Sequence, residues 1–433
     1  MNSLSETEVA RLRQLAHKLI PAGAHTYSRA DDQFPANAPS FVQRAEGCYF
    51  WDEQGRKFLD YGMGLLSVSL GHAHETVNAA VSAALTHGTC YSRPSLMEAE
   101  LADILHAIIP CAEMLKFSKN GSDVTAAAIR LARHYTRRDL VVRCRQHPFH
   151  SVADWFIGST SRPGGVPETI RQQVLHFDYN DIKSLQSLFD THPGRIACVI
   201  MEPMTSAFPA PGFLQAVKDC CKAAGAVLIF DEILTGFRIH IAGGQGLFGV
   251  IPDLATFGKG IANGFPLAVL CGRGDIMQHG NMDGDVFLLS GTYGGETIGL
   301  AAALATIRFQ LEHNVPEHLA NFGELLMKSF QSTIDKYALA DQISVSGHPA
   351  RPDLRFSEQG KTSYRLKTLF MQEMLKEGIL MERIGICHAH GAAELERTTA
   401  AISNTCSKIA KAIAGNKVDD LVEGPVVKPV FTF

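Results

Sequence analysis

The sequence predicts an α/β protein: a mainly parallel sheet with flanking helices, joined to a smaller α+β domain. Short apolar runs, LVVRC (140–144), IACVIMEP (196–203) and AVLIFDEI (226–233), have the length and continuity of strands buried on both faces. Helical periods fall between and around them, as in NGSDVTAAAIRLARHYT (120–136) and PGFLQAVKDCCKAAG (211–225). Such β–α alternation winds a sheet whose ligand sits at the carboxyl ends of its strands.

The flanking segments read differently. CYFWDEQGRKFLDYG (48–62) alternates apolar and polar residues around Asp-Glu-Gln-Gly, which predicts an antiparallel hairpin. The stretch before it is a polar start followed by a short amphipathic helix. After about residue 315 come a helix, short strands near 343–356 and further helices. The expected organisation is residues 1–65 as a helix and hairpin belonging to the small domain, 66–315 as the large domain, and 316–433 as the C-terminal small α+β domain.

A chain of 433 residues is too long for one ordinary core, and 46% hydrophobic with 19% charged residues is globular. The formal charge of −4 is spread along the chain, and no basic run offers a surface for nucleic acid. The N-terminal stretch carries charges from Glu6 onward and lacks an uninterrupted apolar core, unlike a signal peptide. No window approaches 18 apolar residues, so no membrane span is expected. Ten cysteines without CxxC spacing argue against a zinc site or a disulfide framework and fit a reducing cytoplasm.

One lysine stands apart. In PDLATFGKGIANGFP (252–266), Lys259 lies between two glycines, with Asp253 and Arg273 its nearest charged neighbours. Desolvation favours the neutral, nucleophilic amine; the bland alternative is a loop lysine. Asp231 follows the apolar run LIF, at a strand end where a buried carboxylate needs a cation. A protonated pyridine nitrogen is such a cation, and a helix N-cap is the alternative. Asn120, Gly121 and Ser122 open an alanine-rich helix, as an anion site or as an ordinary capped turn.

Phe149, beside His150 in CRQHPFHSVADWF, offers a face for a flat ring or a piece of core packing. LLSGTYGGETIGLAAALA (288–305) repeats the glycine-rich, hydroxyl-bearing turn before a helix, with Thr292 as its hydroxyl. Glu202 ends a strand before a proline and faces a site or caps a turn. An isolated lysine, a strand-end aspartate, two phosphate-type turns and a stacking aromatic together match the needs of pyridoxal 5′-phosphate (PLP).

At these residues the sequence resembles the class III (subgroup II) aminotransferases of fold type I over nearly its whole length. The motifs are LIFDEILTGFR…PDLATFGKGIANGFP, RAEGCYFWDEQGRKFLDYGMGLLSVSLGHAH, NGSD at 120–123 and GTYGGE at 291–296. The resemblance implies a seven-stranded sheet, Lys259 as the Schiff-base lysine, Asp231 at the pyridine nitrogen, Phe149 stacked on the ring, and Gly121 and Ser122 at the phosphate. Asn120, His150, Ile233 and Glu202 complete the implied cofactor set. Thr292 would reach the phosphate of the partner subunit, which implies a homodimer.

IPAGAHTYSRA (20–30) and DWFIGST (154–160) are similar to the glutamate-1-semialdehyde aminomutase branch, in which Arg29 falls at the substrate carboxylate. Tyr27, His25, Ser159 and Glu296 join it as candidate substrate residues. Two motifs depart from the class pattern: NSGTEA reads KNGSDV, and GNP reads GGE. STSRPGGVP (159–167) departs from the aminomutase's long gating loop. These departures look more like the relatives that aminate sugar aldehydes or ketones, including the 8-amino-3,8-dideoxy-octulosonate aminotransferases of lipopolysaccharide assembly. The expected donor is L-glutamate. A rival reading is a metal hydrolase built on the HAH pairs His72/His74 and His388/His390; a third is a noncatalytic binding protein of the same fold.

Overall fold

Residues 3–430 are described by the computed structural model, and the chain divides into two units. The first unit comprises the described residues through Leu66, Leu70–His74 and His318–Val430, and the second Ser67–Ser69 and Glu75–Glu317.

The first unit begins with the helix Glu6–Leu19, capped by Ser5, whose hydroxyl accepts from the Glu8 amide at 3.3 Å. Three strands follow, β1 (Val42–Glu46), β2 (Tyr49–Asp52) and β3 (Lys57–Asp60), paired antiparallel in sequence order. The β2–β3 hairpin is the one expected over 48–62. Asp52 closes its turn by accepting from the amides of Gln54 (2.9 Å) and Arg56 (2.8 Å).

The second unit is built on a seven-stranded sheet: β4 (Met114–Ser118), β5 (Leu140–Cys144), β6 (Val174–Phe177), β7 (Ile196–Met201), β8 (Val227–Asp231), β9 (Leu254–Phe257) and β10 (Ala268–Gly272). Their order across the sheet is β4-β10-β9-β8-β7-β5-β6, with β10 antiparallel to both neighbours and β9 through β6 parallel. Every residue of β5, β7, β8, β9 and β10 is buried, which is why these strands read as unbroken apolar runs.

The period of two sorts their side chains between two cores. Val141, Ile200, Val227 and Ile229 pack with the helix Gly121–Thr136 through Val124, Ala127, Ala128 and Leu131. Val142, Val199, Leu228 and Phe230 face the helix Phe213–Ala224 through Leu214, Val217 and Cys221.

The C-terminal part of the first unit adds the antiparallel β11 (Ile343–Ser346), β12 (Asp353–Glu358) and β13 (Lys361–Thr362). The short β14 (Ile379–Leu380) pairs parallel with β3 and completes a four-stranded sheet, a pairing across about 320 residues that no local pattern announces. All ten cysteines are free thiols, and among the described residues no helix is long and apolar enough to cross a membrane.

Candidate active site

The alternation along β8 fixes the direction of Asp231. Val227 and Ile229 face the helix Gly121–Thr136, so Asp231, two residues on, continues that face at the carboxyl end of the strand. Its side chain is almost fully buried. Oδ2 lies 2.6 Å from Nδ1 of His150, and Oδ1 accepts from the Ile233 amide (3.2 Å) and from Oγ1 of Thr256 (3.3 Å). Thr256 stands level with Asp231 in the β8–β9 register. Glu232 has the opposite parity and turns into the following loop. There its carboxylate accepts from Thr235 Oγ1 and from the amides of Gly244 (2.7 Å) and Gln245 (2.9 Å). Burial lifts the Glu232 carboxyl to about 7.

Strand β9 ends at Phe257, and Lys259 follows two residues later, opening the short 3-10 turn Lys259–Ala262. It is partly buried and holds φ at 46°, a left-handed backbone that a side chain disfavours. The buried Gly260, Ile261 and Ala262 after it hold the turn in place.

The turn between β4 and the helix Gly121–Thr136 is also preset. Asn120 is extended, and Asp123 Oδ2 accepts from Ser118 Oγ (2.8 Å) and from the Asn120 amide (3.3 Å). The first helical amides, those of Gly121 and Ser122, have no carbonyl within the helix to receive them. An ideal Cβ on Gly121 would stand 2.6 Å from Cδ1 of Ile233, so this turn touches the residue two beyond Asp231, and a larger residue here would have to push that side chain aside.

The loop after β5 is stitched to the same turn. Ser122 Oγ accepts from the Val152 amide (3.0 Å), and Thr125 Oγ1 donates to the His150 carbonyl (3.1 Å). Phe149 leaves its ring half exposed and rests edge-on against Phe156 at 5.5 Å. His150 is buried, and its Nε2 has no hydrogen-bond partner among the described residues. Beside it, His147 packs edge-on at 5.6 Å and accepts from the backbone amide of the buried Glu202 (3.0 Å).

The structure thus brings Lys259, Asp231, Ile233, Asn120, Gly121, Ser122, Phe149, His150 and Glu202 together around the ends of β4, β5, β7, β8 and β9. Two of the candidate substrate residues have partners within the chain. The Ser159 hydroxyl accepts from Arg143 Nε (2.8 Å) and donates to the Phe156 carbonyl (2.7 Å). Arg143 is buried with carbonyls and this hydroxyl as its partners, and desolvation pushes its guanidinium down to about 10. Glu296 caps the helix Thr297–Glu312, accepting from the amides of Ile298 (2.8 Å) and Gly299 (2.7 Å), and pairs with Lys119 at 2.5 Å.

Thr292 is exposed on its turn, where its carbonyl receives Cys90 Sγ at 3.5 Å. His25, Tyr27 and Arg29 belong to the first unit. There Tyr27–Arg29 form one 3-10 turn, and Arg29 lines a cavity of about 730 Å³ with Asp32, Asp60 and Lys428. Of the HAH pairs, His72 Nε2 contacts Asp60 Oδ2 at 2.9 Å, and His390 is buried against Tyr61, which pushes its imidazole down to about 4. Among the described residues no group of three or more His, Cys, Asp or Glu side chains could hold a metal ion.

Sequence reasoning passed over Thr256, His147 and Arg143. Thr256 was findable from parity, since it shares a face with Leu254 beside Asp231; the other two depend on the fold of a loop.

The profile of the class III aminotransferases (Aminotransferase class-III) matches residues 30–413. The chain belongs to that family. Solved structures share the aminotransferase's fold over nearly its whole length. The FumI protein of Sphingopyxis sp. MTA144, in its PLP internal aldimine form, is 26% identical, with a TM-score of 0.86 over 94% of this chain and 98% of that one. The β-phenylalanine aminotransferase of Variovorax paradoxus is 24% identical (TM-score 0.81, 94% and 95% covered). A glutamate-1-semialdehyde aminomutase of Pseudomonas aeruginosa PAO1 is 20% identical (TM-score 0.82, 93% and 95% covered).

Proposed function

We propose that this PLP-dependent class III aminotransferase moves an amino group from L-glutamate to a carbonyl acceptor, with Lys259 as its catalytic residue. The observation that carries the reading is the buried Asp231 carboxylate, held by His150, Thr256 and the Ile233 amide one strand from Lys259. The residues present suit PLP: a tight helix-start turn at Gly121, a buried strand-end carboxylate, and a buried imidazole nitrogen with no hydrogen-bond partner among the described residues.

When bound, the cofactor supplies an electrophilic carbon for the donor's amine and a ring that delocalises the electron pair left by proton removal. Lys259 would hold it through Nζ, and the same amine, once free, would be the base that takes the donor's α-proton and the acid that gives it back. Asp231 would set its carboxylate against the ring nitrogen and so favour a proton there. With both carboxylate oxygens occupied, it cannot rotate away. The amides of Gly121 and Ser122, with Asn120, receive the phosphate. Phe149 would offer its exposed face to the ring, Ile233 would line the pocket, and the buried Glu202 and His147 back His150.

The active form in this reading is a cytoplasmic homodimer in which Thr292 serves the partner subunit's phosphate. The exposed aromatics Tyr91, Phe287 and Tyr293 give that surface apolar area to cover. The acceptor we favour is an oxidised sugar acid such as 3,8-dideoxy-8-oxo-octulosonate, on the strength of the KNGSDV, GGE and STSRPGGVP departures. Arg29 and Tyr27 are its candidate carboxylate contacts; Ser159 and Glu296 are left out because their polar atoms are engaged elsewhere. Isomerisation of glutamate 1-semialdehyde is the second reading, favoured by IPAGAHTYSRA and DWFIGST.

Visible absorbance of the PLP-loaded protein tests the reaction. L-Glutamate should bleach it and a sugar aldehyde acid should restore it; isomerisation of glutamate 1-semialdehyde with no second substrate would select the other reading.

A further inference from the structure

We infer that Lys119 and Glu296 are positioning residues for the cofactor's phosphate. Together they clamp the 119–122 turn to the segment after Lys259 and to the start of the helix Thr297–Glu312. The inference rests on the reading of that turn as the phosphate cradle.

Lys119 immediately precedes Asn120, and its Nζ lies 2.5 Å from Glu296 Oε1 and 3.2 Å from the Pro266 carbonyl. The side chains are only 16% and 13% exposed, so solvent screens the pair weakly. Oε1 of Glu296 also receives the Gly299 amide at 2.7 Å, and Oε2 the Ile298 amide at 2.8 Å. Gly299 makes the space: an ideal Cβ there would lie 2.8 Å from the Pro266 carbonyl and 2.9 Å from both Glu296 Oε1 and Lys119 Nζ.

One ammonium therefore ties together three backbone segments far apart in sequence: the phosphate turn, the stretch begun by Lys259, and the 291–296 turn. A lysine next to a phosphate turn would ordinarily be read as a phosphate ligand, but this ammonium is committed to Glu296. The pair also joins the two motif departures, KNGSDV and GGE, in a single contact. The clamp makes no bond to Asp231 or His150, which hang on β8 and on the loop after β5. Loosening it should disturb the grip on phosphate and leave the grip on the ring.

Equilibrium binding of PLP and of pyridoxal, which lacks the phosphate, separates these effects. The proteins compared are the wild type, Lys119→Met, Glu296→Gln, Gly299→Ala and the double variant Lys119→Gln/Glu296→Gln. The three single variants should raise the PLP dissociation constant about tenfold or more and hold that of pyridoxal within about twofold. The double variant, which leaves no unpaired charge, should raise it by less than the product of the singles. Equal weakening of both ligands, or PLP affinity unchanged in the double variant, overturns the inference, and the double variant decides alone if the singles do not fold. A wild-type protein that binds no PLP contradicts the underlying reading instead.

Discussion

His150 Nδ1 stands 2.6 Å from Asp231 Oδ2, and both side chains are buried where the loop after β5 meets the end of β8. A buried carboxylate is costly unless hydrogen-bonded, and a bond to a charged group contributes about 1.5–3 kcal/mol. Replacing His150 by Leu leaves Asp231 with Thr256 and a backbone amide. Turnover should fall roughly 10- to 100-fold, with the folded protein retained, as steady-state rates and circular dichroism would show. Unchanged kcat would remove His150 from the site.

Lys259 combines the reactive amine with a strained backbone. Both Lys259→Ala and Lys259→Gly should lose turnover by at least about 10⁴-fold, the upper range for a residue that moves the proton. They should differ in stability. The φ of 46° disfavours any Cβ but suits glycine, so Lys259→Gly should be more stable than Lys259→Ala by about 1 kcal/mol in urea unfolding of the cofactor-free proteins.

Gly121 and Ile233 are fitted to each other. A methyl on Gly121 meets Ile233 Cδ1 at 2.6 Å, so Gly121→Ala should cost about 1–3 kcal/mol through overpacking and weaken PLP binding. Shortening the partner with Ile233→Val removes that methyl. The double variant should therefore recover most of the lost stability; additive losses would show that the two positions do not touch.

Glu232 gives the fold a pH signature. Its carboxyl is raised from 4.5 to about 7 by burial, so between those values the folded protein keeps a proton that the unfolded chain has released. The Glu232 contribution is thus unopposed below pH 4.5, declines as pH rises, and reaches its full penalty of ~3 kcal/mol above pH 7. In Glu232→Gln that decline is absent. The variant's stability relative to the wild type should improve by up to ~3 kcal/mol from pH 4.5 to 7.5, as denaturant titrations at each pH would measure.

Much of this was legible in the sequence. Strands buried on both faces leave continuous apolar runs, so β5 was marked to the residue, and the helices around Ala127 and Val217 showed their period. The strand-end place of Asp231 was readable from its apolar run, whereas its direction follows from the helix that covers that face of β8. The antiparallel β10 and the two-residue β14 had no such signal, because long-range pairing decides them.

At the site, residue type, spacing and the family resemblance named Lys259, Asp231 and the residues of the two neighbouring loops, but not the bonds among them, such as His150–Asp231 and Thr256–Asp231. The partners of Ser159 and Glu296 were not readable, because a polar side chain near a motif looks the same whether it faces a ligand or satisfies a buried arginine or a helix end. The Lys119–Glu296 contact joins residues 177 apart and was invisible until the chain was folded.

The central claim is that Lys259 Nζ carries the cofactor. Reducing the PLP-loaded protein with borohydride fixes that bond, and mass mapping of the peptides locates it. The pyridoxyl group should appear on the peptide spanning Lys259 and on no other, whereas a label on another lysine, or none at all, would contradict the assignment.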